Sequence, residues 1–463
     1  MSETRAQADK AAETATVGRG VAATGETAPT PTVDRGALRR VVVSGIFGGI
    51  IEWFDYFIYA QAAALVFPTI FFPNQSPIVG VLLSFGGFAV GQFARPIGAL
   101  IFGNLGDKYG RKPVLVATFL LMGISTLLMG FLPTYAVVGV AAPILLTILR
   151  VAQGFGAGAE FAGASIIMLE YAPRNRRGLF GSVGTVGSSS GLMLGTLVFF
   201  LLQYMPHDDL IAWGWRIPFF FSAILVIVGL WIRYRVNESP LFQKVVEKEL
   251  VQKVPLATVF RTEWRSLILV FCLAAGVQMG TYVFLTWILS YLNGVKSPAG
   301  ALFFQPQEST FFVFLAGVCS VIGTPLWGLL SDKLGRKVVF GGAALLSAIL
   351  VLPYFLLINT GNPVAAAFAV CLVGGGTIQM MAGVQGSLFG EVFSTKIRYS
   401  GFALGREISA AIFGGLSPLI ATALVAASGG AFWGVAVYVA AVCILTFVAV
   451  LFARETHKQE LRL

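Results

Sequence analysis

The chain is 463 residues long, 56% hydrophobic and only 12% charged, with a mean hydropathy of +0.81. That is more apolar surface than one water-soluble core of this size buries, so an ordinary soluble protein is excluded. The formal charge of +10 would suggest nucleic acid in a soluble chain, but here the cationic residues sit in alternate gaps between apolar runs, which reads as an integral membrane protein.

Residues 1–34 are rich in Ala, Thr, Glu and Gly without apolar periodicity, and are expected to be a disordered tail and not a signal peptide. A spanning helix needs about 20 mostly apolar residues. Twelve such segments are placed near 41–66, 79–104, 113–132, 137–169, 179–203, 216–235, 267–292, 309–330, 338–358, 364–390, 400–427 and 431–453. Six precede the polar stretch 237–265 and six follow it. The expected domains are therefore the tail, a six-helix bundle at 35–236, a central loop at 237–265, a second bundle at 266–455 and a short tail at 456–463. Cations cluster at Arg35, Arg39 and Arg40, at Lys108, Arg111 and Lys112, at Arg174, Arg176 and Arg177, from Arg233 to Arg265, at Lys333, Arg336 and Lys337, at Lys396 and Arg398, and at Arg454, Lys458 and Arg462. The positive-inside rule then puts both termini and the central loop in the cytoplasm, with the protein multi-pass in the cell inner membrane.

A charged turn lies between the second and third spans, Gly98-Ala-Leu-Ile-Phe-Gly-Asn-Leu-Gly-Asp-Lys-Tyr-Gly-Arg-Lys-Pro113, and its Asp-Lys-x-Gly-Arg-Lys core returns at Asp332-Lys-Leu-Gly-Arg-Lys337. One supersecondary unit is thus used in both halves, which implies an axis between them. In the first copy Gly106 or Gly110 supplies the positive φ of the turn while its charges stay in water. The fourth span ends at Glu170 and the tenth at Glu391, each followed by arginines; the sixth ends at Glu238 and the twelfth at Glu455. Carboxylates at helix C-termini oppose the dipole, so these are expected to pair with loop arginines. Asp107, Arg111, Glu170, Arg177, Asp332, Arg336 and Glu391 form the expected cytoplasmic gate; for Glu238 and Glu455 gating and a headgroup-facing role stay equally open.

Ionisable groups deep in a span are costly and mark transport paths or proton relays. Seven occur here: Glu52, Asp55, Arg95, Arg150, Glu160, Arg406 and Glu407. Counting along the helices at 1.5 Å per residue puts Glu52 and Asp55 about 18 and 22 Å from Arg40, near mid-membrane, with Tyr56 and Tyr59 one turn beyond. Four carboxyls against three arginines leave one carboxyl over, a candidate proton carrier. Glu52, Asp55, Glu160, Arg150 and Glu407 are the proton-coupling candidates. Arg95, Tyr56, Tyr59, Gln153, Gln278, Tyr282, Gln379 and Arg406 are the substrate-binding candidates, with Gln61, Gln92 and Gln385 as weaker amides that also serve to join helices. The glycines of helix 5 and Gly374-Gly375-Gly376 read as packing or bending positions. Cys272, Cys319, Cys371 and Cys443 lie in apolar runs without metal spacing, and His207 and His457 lie outside the spans; no catalytic residue, metal or cofactor is expected.

The repeated turn resembles that of the major facilitator superfamily. Ile51-Glu-Trp-Phe-Asp-Tyr56, Phe93-Ala-Arg-Pro-Ile-Gly98, Arg150-Val-Ala-Gln-Gly-Phe155, Gly158-Ala-Glu160 and Trp213-Gly-Trp-Arg-Ile-Pro-Phe219 are similar to the bacterial metabolite:proton symporters. The resemblance implies an all-α fold of twelve transmembrane helices in two six-helix pseudo-symmetric bundles, with a midplane site reached by rocking of the halves. It also implies proton-driven uptake of a small organic acid such as shikimate or a di- or tricarboxylate, by a monomer that binds its solute, protons and the bilayer and no nucleic acid. A proline/betaine symporter and a proton-driven efflux pump are the alternatives; the chain departs from the osmosensing branch by stopping soon after the last span, and from relatives in general by Arg406-Glu407.

Overall fold

The computed structural model describes residues 35–109, 111–158, 161, 165–166, 168–169, 172–235, 263–294, 303–393 and 398–457. The side chains of Asp107 and Arg111, and all of Glu160, Glu170 and Glu238, lie outside this description. Twelve helices follow in order: α1 (Arg35–Leu65), α2 (Pro77–Tyr109), α3 (Arg111–Phe131), α4 (Ala141–Ala157), α5 (Arg177–Leu202), α6 (Ile217–Arg235), α7 (Trp264–Leu292), α8 (Pro306–Leu334), α9 (Arg336–Ile358), α10 (Pro363–Val392), α11 (398–427) and α12 (Trp433–Phe452). They fall within a few residues of the positions expected from hydropathy. The clearest difference is at α4: Tyr135–Val138 is a separate short helix, because Gly139 adopts φ +60 and breaks the run before Ala141.

Nine of the helices among the described residues are long and apolar enough to cross a membrane. Their outward faces carry large exposed aliphatic side chains such as Ile227, Ile322 and Val437, a surface suited to lipid, where backbone polar groups are already satisfied within each helix.

Packing positions the interior. α2 lies against α4 with the backbones nearly touching, since a Cβ on Gly98 would sit 2.1 Å from the Phe155 carbonyl oxygen and one on Gly154 2.2 Å from that of Gly91. Only glycine permits this approach, and it sets Arg95 and Arg150 side by side. The first six helices meet the last six along two lines, α2 with α11 and α5 with α8, so that Arg40–Leu463 forms one compact unit. α7, α10 and α11 each contain a wide π-type turn, at Val283–Trp287, Cys371–Thr377 and Ala410–Gly415, a local irregularity common at functional sites. The glycine triplet 374–376 lies in the second of these. In the repeated turn the positive φ falls on Gly335, at φ +103. In the first copy Gly106 lies within α2 and does not form the turn; Gly110 lies outside the described residues.

Candidate functional site

Glu52, Asp55, Arg95, Arg150, Arg406 and Glu407 are all at most 2% exposed. The structure sorts them into two networks. In the first, Arg95 of α2 donates from Nε to Glu407 of α11 at 2.7 Å and from Nη2 to Glu52 of α1 at 3.2 Å. Glu407 also accepts from its neighbour Arg406. This four-charge cluster ties α1 and α2 to α11, across the line between the halves. Adjacent residues on a helix leave it in different directions, yet the length of the arginine lets Arg406 curl back onto Glu407.

The second network is separate. Asp55 accepts from Thr126 of α3 at 2.9 Å and from Ser222 of α6. Gln153 donates to Thr126 at 2.8 Å and accepts from Arg150, so the carboxylate and the arginine are connected through a hydroxyl and an amide. The Arg150 guanidinium lies 4.0 Å from the Tyr56 ring centroid, 4.1 Å from Tyr59 and 4.9 Å from Phe88, an aromatic enclosure that favours a cation without a carboxylate. Glu52 and Asp55, three residues apart and so about 60° apart around α1, thereby serve different partners. Among the described residues three buried mid-span carboxylates stand against three arginines. The expected surplus carboxyl depended on Glu160, which lies outside them.

Between the halves lies a small cavity of about 30 Å³, room for about two waters. Gln278, Gln379 and Arg406 line it, together with Gln385, Thr185, Ser188, Ser189, Thr281, Trp53 and Phe57. Arg95, Tyr56, Tyr59, Gln153 and Tyr282 do not line it. Tyr282 instead packs on Phe88 and Phe57 across the halves, at 5.0 and 6.1 Å, and Gln61 is bound to Thr196 at 2.7 Å. The wall hydroxyls of α5, and Thr126 and Ser222, were missed by reading charges alone. Their signal is a hydroxyl at mid-span depth in an otherwise apolar helix.

The ends of the bundle are bridged as well. At the end carrying the repeated turn, Asp332 accepts the backbone N–H groups of Gly178 and Leu179 at 2.7 and 3.0 Å, at the N-terminus of α5, where the dipole favours an anion. Arg336 donates to Asp332 at 2.8 Å and lies 3.5 Å from Glu391, which accepts from Thr456. Arg177 opens α5 beside them. Among the described residues Glu455 has no loop-arginine side chain as the expected partner: it accepts the N–H groups of Arg336 and Lys337, each at 3.0 Å, capping α9. Burial raises its carboxyl, but those N–H groups and that of His457 outweigh burial and hold it below the ordinary value. At the opposite end Gln307 donates to the Gln203 carbonyl at 2.7 Å and Ser290 to that of Ala64 at 3.3 Å. Among the described residues no group of side chains is suited to hold a metal ion, and the four cysteines are free.

The profile of the family described as "Sugar (and other) transporter" matches residues 41–255 and 252–463. The chain belongs to this family of the major facilitator superfamily. This transporter is 37% identical to the inner membrane metabolite transport protein YhjE of Escherichia coli K12, over 91% of the chain and 95% of the relative. It is 32% identical to the shikimate transporter of the same strain, over 92% and 97%. It is 35% identical to the proline/betaine transporter of Salmonella typhimurium LT2, over 93% and 86%. Its fold matches a crystal structure of a D-xylose-proton symporter with TM-score 0.69 at 19% identity, covering 89% of this chain and 96% of that one. The twelve-helix architecture of the transporter is therefore that of the superfamily, and its relatives are transporters and not enzymes.

Proposed function

We propose that this transporter is a proton-coupled symporter that takes up a small organic acid by alternating access. The observation that carries the reading is the dry cluster of Glu52, Arg95, Glu407 and Arg406, which joins the two halves and exposes one cation, Arg406, on the wall of a polar cavity. Buried charges of this kind are costly, so their presence beside a polar cavity between the halves supports ion-coupled movement. The end carrying Asp332, with both termini, is assigned to the cytoplasm of the inner membrane by its cations, and the monomer is taken as the working unit. Asp332, Arg336 and Glu391 then act as the cytoplasmic latch, and Asp107, Arg111, Glu170 and Arg177 are assigned to the same face.

Uptake of labelled shikimate, citrate and glycine betaine into proteoliposomes tests this. Accumulation of an acid is expected to rise with an inward proton gradient and to collapse with a protonophore; uptake indifferent to the gradient would reject symport. A zwitterion of the proline/betaine type is the second reading. Trp53 and Phe57 on the cavity wall, surfaces that attract an ammonium group, favour it, and preferential uptake of betaine would establish it. Proton-driven efflux calls for a roomy apolar cavity, and the wall described above lends it no support.

A further inference from the structure

We infer that Arg406 and Glu407 form an exchangeable pair: the carboxylate of a hydroxylated monoanionic solute replaces Glu407 on Arg406, and Glu407 takes one proton as it is displaced. The inference rests on the symport reading and names its solute class and its coupling residue.

Charge balance is the first argument. Glu52 and Glu407 stand against Arg95 and Arg406, so among the described residues the empty cluster is neutral. Among the described residues the charged groups facing Glu407 are Arg95 from α2, Arg406 from α11 and Glu52 from α1, with the Tyr56 ring 4.9 Å from the Arg95 guanidinium. Adding one anion to this dry cluster leaves an unpaired buried charge, a costly state. One proton from water on the entry side, placed on a Glu407 carboxylate oxygen, restores neutrality. Glu407 is the carboxylate that shares Arg406 with the incoming solute, whereas Asp55 is held by Thr126 and Ser222 in the other network.

The wall supplies the second argument. Among the described residues Arg406 is the cation on it, and none of them that lines it is a carboxylate. The Arg406 Nε is buried without a hydrogen-bond partner. Ser188 and Thr281 each spend their hydroxyl proton on a helix carbonyl and keep acceptor oxygens on the wall, Thr185 donates to the Ala382 carbonyl and accepts from Gln385, and the Gln385 Oε1 is a buried acceptor without a partner, beside one unpartnered donor, Gln278 Nε2. Such a wall asks for O–H donors on the solute. A polyhydroxy monocarboxylate provides them. A quaternary ammonium has none, and a tricarboxylate brings more negative charge than one arginine and one proton can balance.

The test uses purified protein in proteoliposomes with shikimate as the hydroxylated monocarboxylate. Because one anion and one proton cross together, wild-type accumulation is expected to change about tenfold per unit of imposed pH gradient and not at all with a potassium/valinomycin potential. Glu407→Gln is expected to lose gradient-driven accumulation, down to equilibration, while still exchanging internal for external label. Arg406→Gln is expected to raise the KM about tenfold or more by removing a charge-assisted bond. If Glu407→Gln does not purify as a monodisperse protein, Arg406→Gln decides: an unchanged KM for shikimate in that variant would overturn the exchange. Wild-type accumulation that follows the potential, or a Glu407→Gln variant that still accumulates, would overturn the exchange. Failure of the wild type to accumulate any acid with the proton gradient would instead defeat the symport reading beneath it.

Discussion

The latch end offers the sharpest mechanical test. Gly386 of α10 faces Gly181 of α5, and a Cβ built at Gly386 lies 2.3 Å from the Gly181 carbonyl oxygen, against 3.4 Å for the tightest ordinary contact. Because the obstacle is backbone, Gly386→Ala forces α5 and α10 apart by about 1 Å in the closed arrangement, an overpacking worth about 1–3 kcal/mol. The penalty vanishes once this end opens and the two helices separate. The equilibrium is therefore expected to move about 5- to 150-fold toward the open form. Access is read with Ser182→Cys, a buried position on α5, in a protein whose native Cys272, Cys319, Cys371 and Cys443 are replaced by alanine. A membrane-impermeant maleimide is expected to label it several-fold faster in the Gly386→Ala variant, and only from the face assigned to the cytoplasm. Gly342→Ala, where an added Cβ meets nothing within 4 Å, is the control. An unchanged labelling rate in a folded Gly386→Ala protein would refute the idea that the α5–α10 contact closes this end.

Other expectations follow from individual bonds. Arg95→Ala strands Glu52 in a dry interior and leaves Glu407 to Arg406 alone, and is expected to destabilise the detergent-solubilised protein by about 3–5 kcal/mol, seen as a lowered thermal midpoint. Thr126→Val removes the hydroxyl that both donates to Asp55 and accepts from Gln153; a loss of about 1–3 kcal/mol is expected, and Thr126→Ser is expected to restore most of it. Asp332→Asn removes the charge and one of the two accepting oxygens that cap α5 and breaks the ion pair with Arg336; faster maleimide labelling at Ser182→Cys checks it. Glu455 has a folded value lying below the ordinary 4.5, so its contribution is complete above that value and is lost as pH falls through the folded one. The difference in thermal midpoint between wild type and Glu455→Gln is accordingly expected to shrink as pH falls below the ordinary value of 4.5.

Hydropathy, the alternation of cations and the twice-used turn settled the membrane class, the span positions and the family, because each of these is a local or periodic property of the chain. Depth along a helix was also readable: counting residues set Glu52 and Asp55 about 18 and 22 Å along α1, well inside the span, and both are buried. Pairing was not. Glu52 and Asp55, three residues apart, part company because α2 and α11 flank one while α3 and α6 flank the other. Arg406 and Glu407, neighbours in sequence, meet Arg95 from 311 and 312 positions away only because α11 packs on α2. Which buried charge faces which depends on how helices distant in sequence cross, and that is decided by tertiary contacts such as the glycine seam between α2 and α4 and the apposition of α2 with α11.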